Sequence, residues 1–438
     1  MKILNSLLPA KPNDKWLYIC IIIICEPLIF SICNNNITYY SLNAIFGLAI
    51  AGMFLYELIT KLVNREKIKI SKSYSFWFLL AFVVWIFLGS FFSINKAVTW
   101  AGMYNGQHVK ESVWQYISYF LFFCAARKTQ KSNRYYLTSL MVWLMCFYIF
   151  LGFINYAGVE IPGFLSLKKR YGLMFYHQNH SAYLATITTM LAFYKMSSNV
   201  TLKQRLAFGL AFCLHVVFLC VNGSFGPILA VCCAIVASLV VYLLRKNWHV
   251  SIRMAAGIVC FFALFSIFDF TPKLKDIKSD SYPLYAKFVG VVYNVFDIKG
   301  TSEQGKSGYT YNGEEVAGSD GYSRIPMWKD CLKTATERPL FGTGTSTFQD
   351  KNPKYNLANP HNEYLQYMSA NGIPALVFYL AFLVSLFINF FKRKNYSLHY
   401  SNACIGAIFA YLVSAFFGCT MCCILPQLFL VFGFAEVE

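Results

Sequence analysis

The chain has 438 residues, 57% of them hydrophobic and only 13% charged. A soluble domain carries about a quarter charged residues, so this composition excludes an ordinary soluble protein and indicates a membrane protein. The net charge of +18 would suggest nucleic acid as a partner in a soluble chain. Here most of the cations sit in short loops between apolar runs, the positive-inside pattern, which argues against nucleic acid.

Runs of about 20 apolar residues cross a hydrocarbon core as helices, because backbone groups in lipid must be paired internally. Twelve such spans are predicted, at 16–33, 41–60, 74–93, 112–126, 137–156, 181–195, 206–221, 226–244, 253–269, 372–391, 402–418 and 422–435. The fourth and sixth are short and extend into their flanks. The basic stretch Met1–Lys15 leads into the first span with no small-residue cleavage site and reads as part of a retained span, not a removed signal peptide.

Glu26-Pro27 lies inside the first span. An intramembrane carboxylate is a candidate functional group. A protonated Glu can also satisfy the carbonyl that Pro27 leaves free, and this structural reading is preferred. Nearly all of the 15 cysteines lie in apolar runs as small fillers. Only Cys331 lies in the long polar segment, which therefore has no disulfide framework within it. Cys419-x-x-Cys422-Cys423 has a metal-like spacing but no nearby His, and reads as membrane packing.

The chain divides into nine spans over 1–270, one long loop over 271–371 and three spans over 372–438. No internal repeat is visible, and this uneven division argues against an inverted-repeat transporter. Lys and Arg concentrate in alternate short loops, which places both termini in the cytoplasm and the long loop outside.

Two outward segments carry polar chemistry. Before the sixth span comes Lys168-Lys169-Arg170-Tyr171-Gly172, followed by His177-Gln178-Asn179-His180. Three consecutive cations on that side have two readings: contact with lipid headgroups, or binding of an anionic substrate.

In the long loop, Thr301–Asp320 is rich in Gly, Ser and acidic residues and is expected to be mobile or lid-like, with little core. Ser323 is expected to cap a short helix with Pro326 in its first turn and Ile325, Trp328 and Leu332 on one side. Arg338-Pro-Leu-Phe-Gly-Thr-Gly344 reads as a turn. Asn359 is the expected N-cap of a second helix, with Pro360 at its first position and His361 in its first turn. Tyr364, Leu365 and Met368 would form its stripe, and Asn371-Gly372 its end.

A helix N-terminus disfavours imidazolium, so His361 is expected to be a neutral base for a hydroxyl. The same terminus favours an anion, and Arg324 offers a planar cationic fork for phosphate. Together they suggest transfer onto an alcohol from a phosphate-activated donor. Singly, such a His is more often a cap and such an Arg a stacking partner of Trp. Their order, and their position just before a span, favour a site.

These blocks, Arg324-Ile-Pro-Met-Trp328, Glu337-Arg-Pro-Leu-Phe-Gly-Thr-Gly344, Pro360-His-Asn-Glu-Tyr-Leu-Gln366 and Gly372-Ile-Pro374, with Arg170-Tyr-Gly172 and His177-Gln-Asn-His180, resemble the O-antigen ligase and polymerase family of bacterial membrane glycosyltransferases. The resemblance implies an all-α, GT-C-like polytopic fold of about twelve transmembrane helices with one long periplasmic loop containing short helices. It implies an inner-membrane enzyme without metal or nucleotide sugar, transferring a glycan from undecaprenyl diphosphate. The acceptor would be lipid A-core in a ligase, another repeat unit in a polymerase, or pilin in related enzymes.

By this resemblance His361 activates the acceptor hydroxyl, and Arg324 and Arg170 bind the diphosphate. Lys168, Lys169, His177, Asn179, His180, Asn362, Glu363 and Arg338 are further substrate-binding candidates. The family often has Ser-Arg-Gly where this chain has Ser224-Phe225-Gly226, so either Lys168, Lys169 or Arg338 would substitute for the missing Arg, or the donor would be held differently. A ligase is the leading expectation. A transporter of lipid-linked glycans is the alternative of another class, and the few ionisable groups in the spans weigh against it.

Overall fold

A computed structural model of the chain describes residues 14–33, 36–67, 71–102, 111–161, 178–198, 200–270, 324–355, 357–392, 399–419 and 423–436, with Leu173, Phe175 and parts of 286–317. Each of the twelve apolar runs is a helix. The first group is α1 (Lys15–Cys33), α2 (Asn36–Val63), α3 (Tyr74–Gly89), a short α4 (Lys96–Ala101), α5 (Val113–Lys128), α6 (Lys131–Tyr156), α7 (Gln178–Ser197), α8 (Leu202–Asn222), α9 (Phe225–Leu244) and α10 (Trp248–Phe270). The polar segment contributes α11 (Arg324–Glu337), α12 (Phe348–Lys351) and α13 (Glu363–Asn371), and the chain closes with α14 (Ile373–Lys392), α15 (His399–Ala415) and α16 (Leu425–Ala435).

Among the described residues, six helices (α2, α6, α8, α9, α10 and α14) are long and apolar enough to cross a membrane, and α3, α15 and α16 are shorter apolar helices. The protein is an all-α polytopic membrane protein. Helix α7 is less apolar because it is the centre of the bundle. Its threonines are fully buried and return their hydroxyls to carbonyls one turn back, Thr186 to Ala182 at 2.9 Å and Thr189 to Ala185 at 2.6 Å. Around it pack α8, α9 and α15.

Successive long helices alternate in direction, so the bundle has two chemically different ends. One end gathers cations. Lys15 and Lys128 pair with Glu57, Arg127 pairs with Glu436, Arg134 donates to the Glu436 carbonyl, and Lys195 donates to the Tyr135 carbonyl. The opposite end carries α11 and α13 between the end of α15 and the start of α14.

One element is added to the expected picture and one expectation changes. Thr301–Asp320 contains an antiparallel hairpin, β1 (Lys306–Tyr311) and β2 (Glu314–Ala317), with Tyr311 opposite Glu314. The sequence Asn312-Gly313 is a strong hairpin-turn pair, and Gly313 has the positive φ of +83° that such a turn requires. The Pro27-freed carbonyl of Ile23 is also satisfied differently than expected: Gln427 Nε2 donates to it at 2.8 Å. Glu26 is fully buried, and neither of its carboxyl oxygens has a hydrogen-bond partner among the described residues.

Candidate active site

The site is built from α11 upward. Arg324 opens this helix and Pro326 lies in its first turn, where a missing N–H costs nothing. Its buried face is Arg324, Met327, Cys331, Thr334 and Ala335. Met327 and Cys331 form a small core with Phe348 and Tyr355, against which Trp328 packs, and burial pushes the Cys331 thiol up to about 12. Of Ile325, Trp328 and Leu332, which share one side of this helix, Trp328 packs on that core and Leu332 does not. Leu332 is 51% exposed, because the covering elements follow later in the chain and approach the neighbouring face.

Arg324 and Trp328 lie one helical turn apart and both reach across to other segments. Arg324 is 8% exposed and its Nη1 donates to the Phe417 carbonyl at 3.0 Å. The Trp328 indole N–H donates to the Pro360 carbonyl at 3.0 Å, and its ring meets Phe416 edge-on at 5.6 Å. Through Trp328, the start of α11 is joined to the residue preceding His361.

The helix expected to start at Asn359 starts three residues later. Asn362 is its N-cap, with Oδ1 accepting from the Leu365 N–H at 3.0 Å. Asn359 instead accepts from the His361 N–H at 3.2 Å, closing a local turn. His361 thus precedes the helix, half-buried, in the left-handed region with φ +51°. A non-glycine residue held there is strained, and such strain clusters at functional sites. The predicted C-terminus is correct: Gly372 caps α13 with φ +86°.

Two expected substrate ligands have structural positions. Asn362 is 2% exposed and serves as the cap. Glu363 is completely buried. Its Oε1 accepts from Tyr379 at 3.1 Å and its Oε2 from Tyr411 at 2.7 Å. Burial pushes its carboxyl up to about 7, against the opposing pull of the Tyr411, Tyr379 and Tyr367 hydroxyls.

The glycine turn clamps the other end of α13. Thr343 N–H donates to the Ser369 carbonyl at 3.1 Å, Gly344 N–H to Ala370 at 2.7 Å, and Ile373 N–H to Pro339 at 2.8 Å. The first two satisfy carbonyls that the last turn of α13 leaves unpaired. A Cβ on Gly342, at φ +63°, would meet the Ala370 backbone at 2.5 Å, so the close approach requires glycine. Phe341 stacks on Phe92 at 4.5 Å and on Trp85 at 5.1 Å, anchoring the turn to α3 and the short turn that follows it.

Arg338 lies at the far end of α11 from Arg324, about 20 Å away for 14 residues of helix. It is exposed and donates to the Phe92 carbonyl at 3.4 Å. It is not brought to the Arg324 corner.

Asn179 and His180 belong to the first turn of α7 and do approach that corner. Ser224, at the N-cap position of α9, donates from Oγ to Asn179 Oδ1 at 2.9 Å. Asn222 Nδ2 donates to Ser181 Oγ at 3.3 Å. A Cβ on Gly226 would touch Phe417, the residue whose carbonyl holds Arg324. His180 lies against Cys423. Lys168, Lys169, Arg170 and His177 lie outside the described residues.

Sequence reasoning missed the buried partners. These are Tyr379 and Tyr411, which grip Glu363, the Phe416-Phe417 turn, and the Asn222–Ser181 and Ser224–Asn179 pairs. For Ser224 the usable signal was a hydroxyl directly before an apolar run, although its side chain goes to Asn179 and does not cap the helix. For the tyrosines, the signal was polar rings within otherwise apolar spans.

The fold and this corner define a polytopic helical membrane protein with a polar, Arg- and His-bearing site at one end of its bundle. Residues 208–380 match the family model described as O-Antigen ligase, and the match supports the O-antigen ligase superfamily, whose members are glycosyltransferase-like enzymes. The match runs from α8 through α11 and α13 into α14. No curated protein matches the chain.

Proposed function

We propose that this protein is an O-antigen ligase of the bacterial inner membrane, transferring a glycan from undecaprenyl diphosphate to a hydroxyl of the lipid A-core oligosaccharide. In this reading both termini are cytoplasmic and the Arg324–His361 corner faces the periplasm. The cationic end of the bundle then lies on the cytoplasmic side, as the positive-inside rule requires. The observation that carries the proposal is the joining of Arg324 and His361 through Trp328 and Pro360, inside the matched segment.

The proposed chemistry uses two roles. The His361 imidazole takes the proton of the acceptor hydroxyl while its oxygen attacks the anomeric carbon. The bond from that carbon to the diphosphate oxygen breaks, and the electron pair leaves with the diphosphate. The Arg324 guanidinium, its orientation fixed by the Phe417 carbonyl, stabilises the negative charge that develops on the leaving group. Arg170, Lys168 and Lys169, with His177, Asn179 and His180, would supply further contacts to the donor. Asn362 and Glu363 hold the site's backbone.

The deciding experiment supplies purified protein in detergent with the lipid-linked glycan and, separately, lipid A-core, a second lipid-linked repeat unit or a pilin acceptor. A ligase transfers to lipid A-core. Preferred transfer to the repeat unit or to pilin would identify a polymerase or a protein glycosyltransferase instead. Absence of transfer, together with gradient-dependent movement of the glycan lipid in vesicles, would identify a transporter. Arg324→Ala should weaken use of the donor, and unchanged donor affinity would refute its role.

A further inference from the structure

Glu363 is the charged residue of the His361 block, and it is sealed from solvent. Its two oxygens are held by tyrosines from two different helices, Tyr379 of α14 and Tyr411 of α15. The adjacent Tyr364 hydroxyl donates to the Leu412 carbonyl at 2.8 Å. The first turn of α13 is therefore bound twice to α15 at residues 411–412. That helix ends just before Phe416 and Phe417, which hold Trp328 and Arg324. On the other side, the Tyr379 ring packs on Tyr367 at 4.9 Å and on Phe82 at 5.4 Å, which seats the anchor in the core.

These contacts form a closed circuit: His361, Glu363, Tyr411, the Phe416-Phe417 turn, Arg324 and Trp328, and back through Pro360 to His361. We infer that Glu363 is a positioning residue, a buried strut that fixes the spacing of His361 from Arg324 through Tyr411 and Tyr379, and that it does not touch substrate. The inference rests on the glycosyl-transfer reading for its kinetic consequence only. Gln at 363 retains a carbonyl to accept one tyrosine hydroxyl and an amide to donate to the other. Ala retains neither.

The test compares Glu363→Ala, Glu363→Gln, Tyr411→Phe and Tyr379→Phe in the purified full-length protein. Transfer kinetics are measured, together with the rate at which diethyl pyrocarbonate modifies His361, read by mass spectrometry. Displacing a reacting group by about 1 Å costs on the order of a hundredfold in rate, so Glu363→Ala should lose about that much kcat, with KM for both substrates within about threefold of wild type. Glu363→Gln should stay within about tenfold of wild-type kcat. In the Glu363→Ala background, Tyr411→Phe should add nothing further. His361 should be modified severalfold faster in Glu363→Ala than in wild type or Glu363→Gln.

A raised KM with unchanged kcat in Glu363→Ala would overturn the inference, and so would a Glu363→Gln variant as inactive as Glu363→Ala. If Glu363→Ala does not fold, the Tyr379→Phe/Tyr411→Phe double variant carries the test. Unchanged kcat and His361 reactivity there would overturn the inference. If the wild-type protein transfers no glycan, the functional reading fails, while the His361 modification rates still decide whether Glu363 positions it.

Discussion

Trp328 donates its indole N–H to the carbonyl of Pro360 at 3.0 Å, so one hydrogen bond fixes the position of the His361 backbone relative to the helix that begins with Arg324. The Pro360 residue is buried, and a buried carbonyl left without a donor costs about 1–3 kcal/mol. Trp328→Phe keeps an aromatic ring beside Phe416 but removes the donor and part of the indole's packing. It should lower stability by about that amount in thermal denaturation in detergent, and reduce transfer by about tenfold or more through misplacement of His361.

The glycine turn should be equally intolerant. Gly372 has φ +86° and Gly344 φ +107°. A Cβ on Gly372 would run into the Leu340 carbonyl, and one on Gly344 into Ser93 and Thr99. Gly372→Ala and Gly344→Ala should each cost about 2–4 kcal/mol, from backbone strain and overpacking. Gly209 of α8 has open space around it, so Gly209→Ala should leave the melting temperature unchanged or raised.

Much of this was legible in the sequence, for a physical reason. A membrane helix is specified by a local property, a run of about 20 apolar residues; all twelve runs are helices, and among the described residues six are long and apolar enough to cross a membrane. The Gly372 end of α13 is likewise a local backbone requirement. The start of α13 was misread because Asn359 and Asn362 are both good caps three residues apart. Local rules cannot choose between them when the choice is made by Trp328, 32 residues away, and by Tyr379 and Tyr411, 16 and 48 residues away. The same limit explains Glu363. In the sequence it is a carboxylate beside a His, and only the packing of α14 and α15 shows it to be enclosed. The Asn312-Gly313 pair carried a hairpin signal that the acidic, Ser-rich composition around it obscured.

The pH dependence of stability follows from Glu363. In the folded protein its carboxyl is pushed up to about 7 from an ordinary 4.5, so the folded state holds its proton more tightly than the unfolded state. The stabilisation from this proton is fully present below about pH 4.5 and is lost as pH rises through about 7, amounting to on the order of 3 kcal/mol. Glu363→Gln has no such proton. Melting temperatures across this range should therefore show the wild type losing stability relative to Glu363→Gln as pH increases. A constant difference between the two would refute the assignment.

Gln427 substitutes for the backbone N–H that Pro27 lacks. Gln427→Ala should cost about 1–3 kcal/mol by leaving the Ile23 carbonyl unpaired in a buried position. Pro27→Ala restores an N–H on α1, so combining the two substitutions should recover stability in the same denaturation assay. A double variant no more stable than Gln427→Ala would show that this carbonyl is not the source of the loss.

The most direct test of the central claim is glycan transfer from an undecaprenyl-diphosphate donor to lipid A-core by purified His361→Ala protein, with wild type in parallel. The wild type should transfer glycan and His361→Ala should show none above background, although the variant inserts and melts as the wild type does. Transfer by His361→Ala at the wild-type rate would contradict that claim.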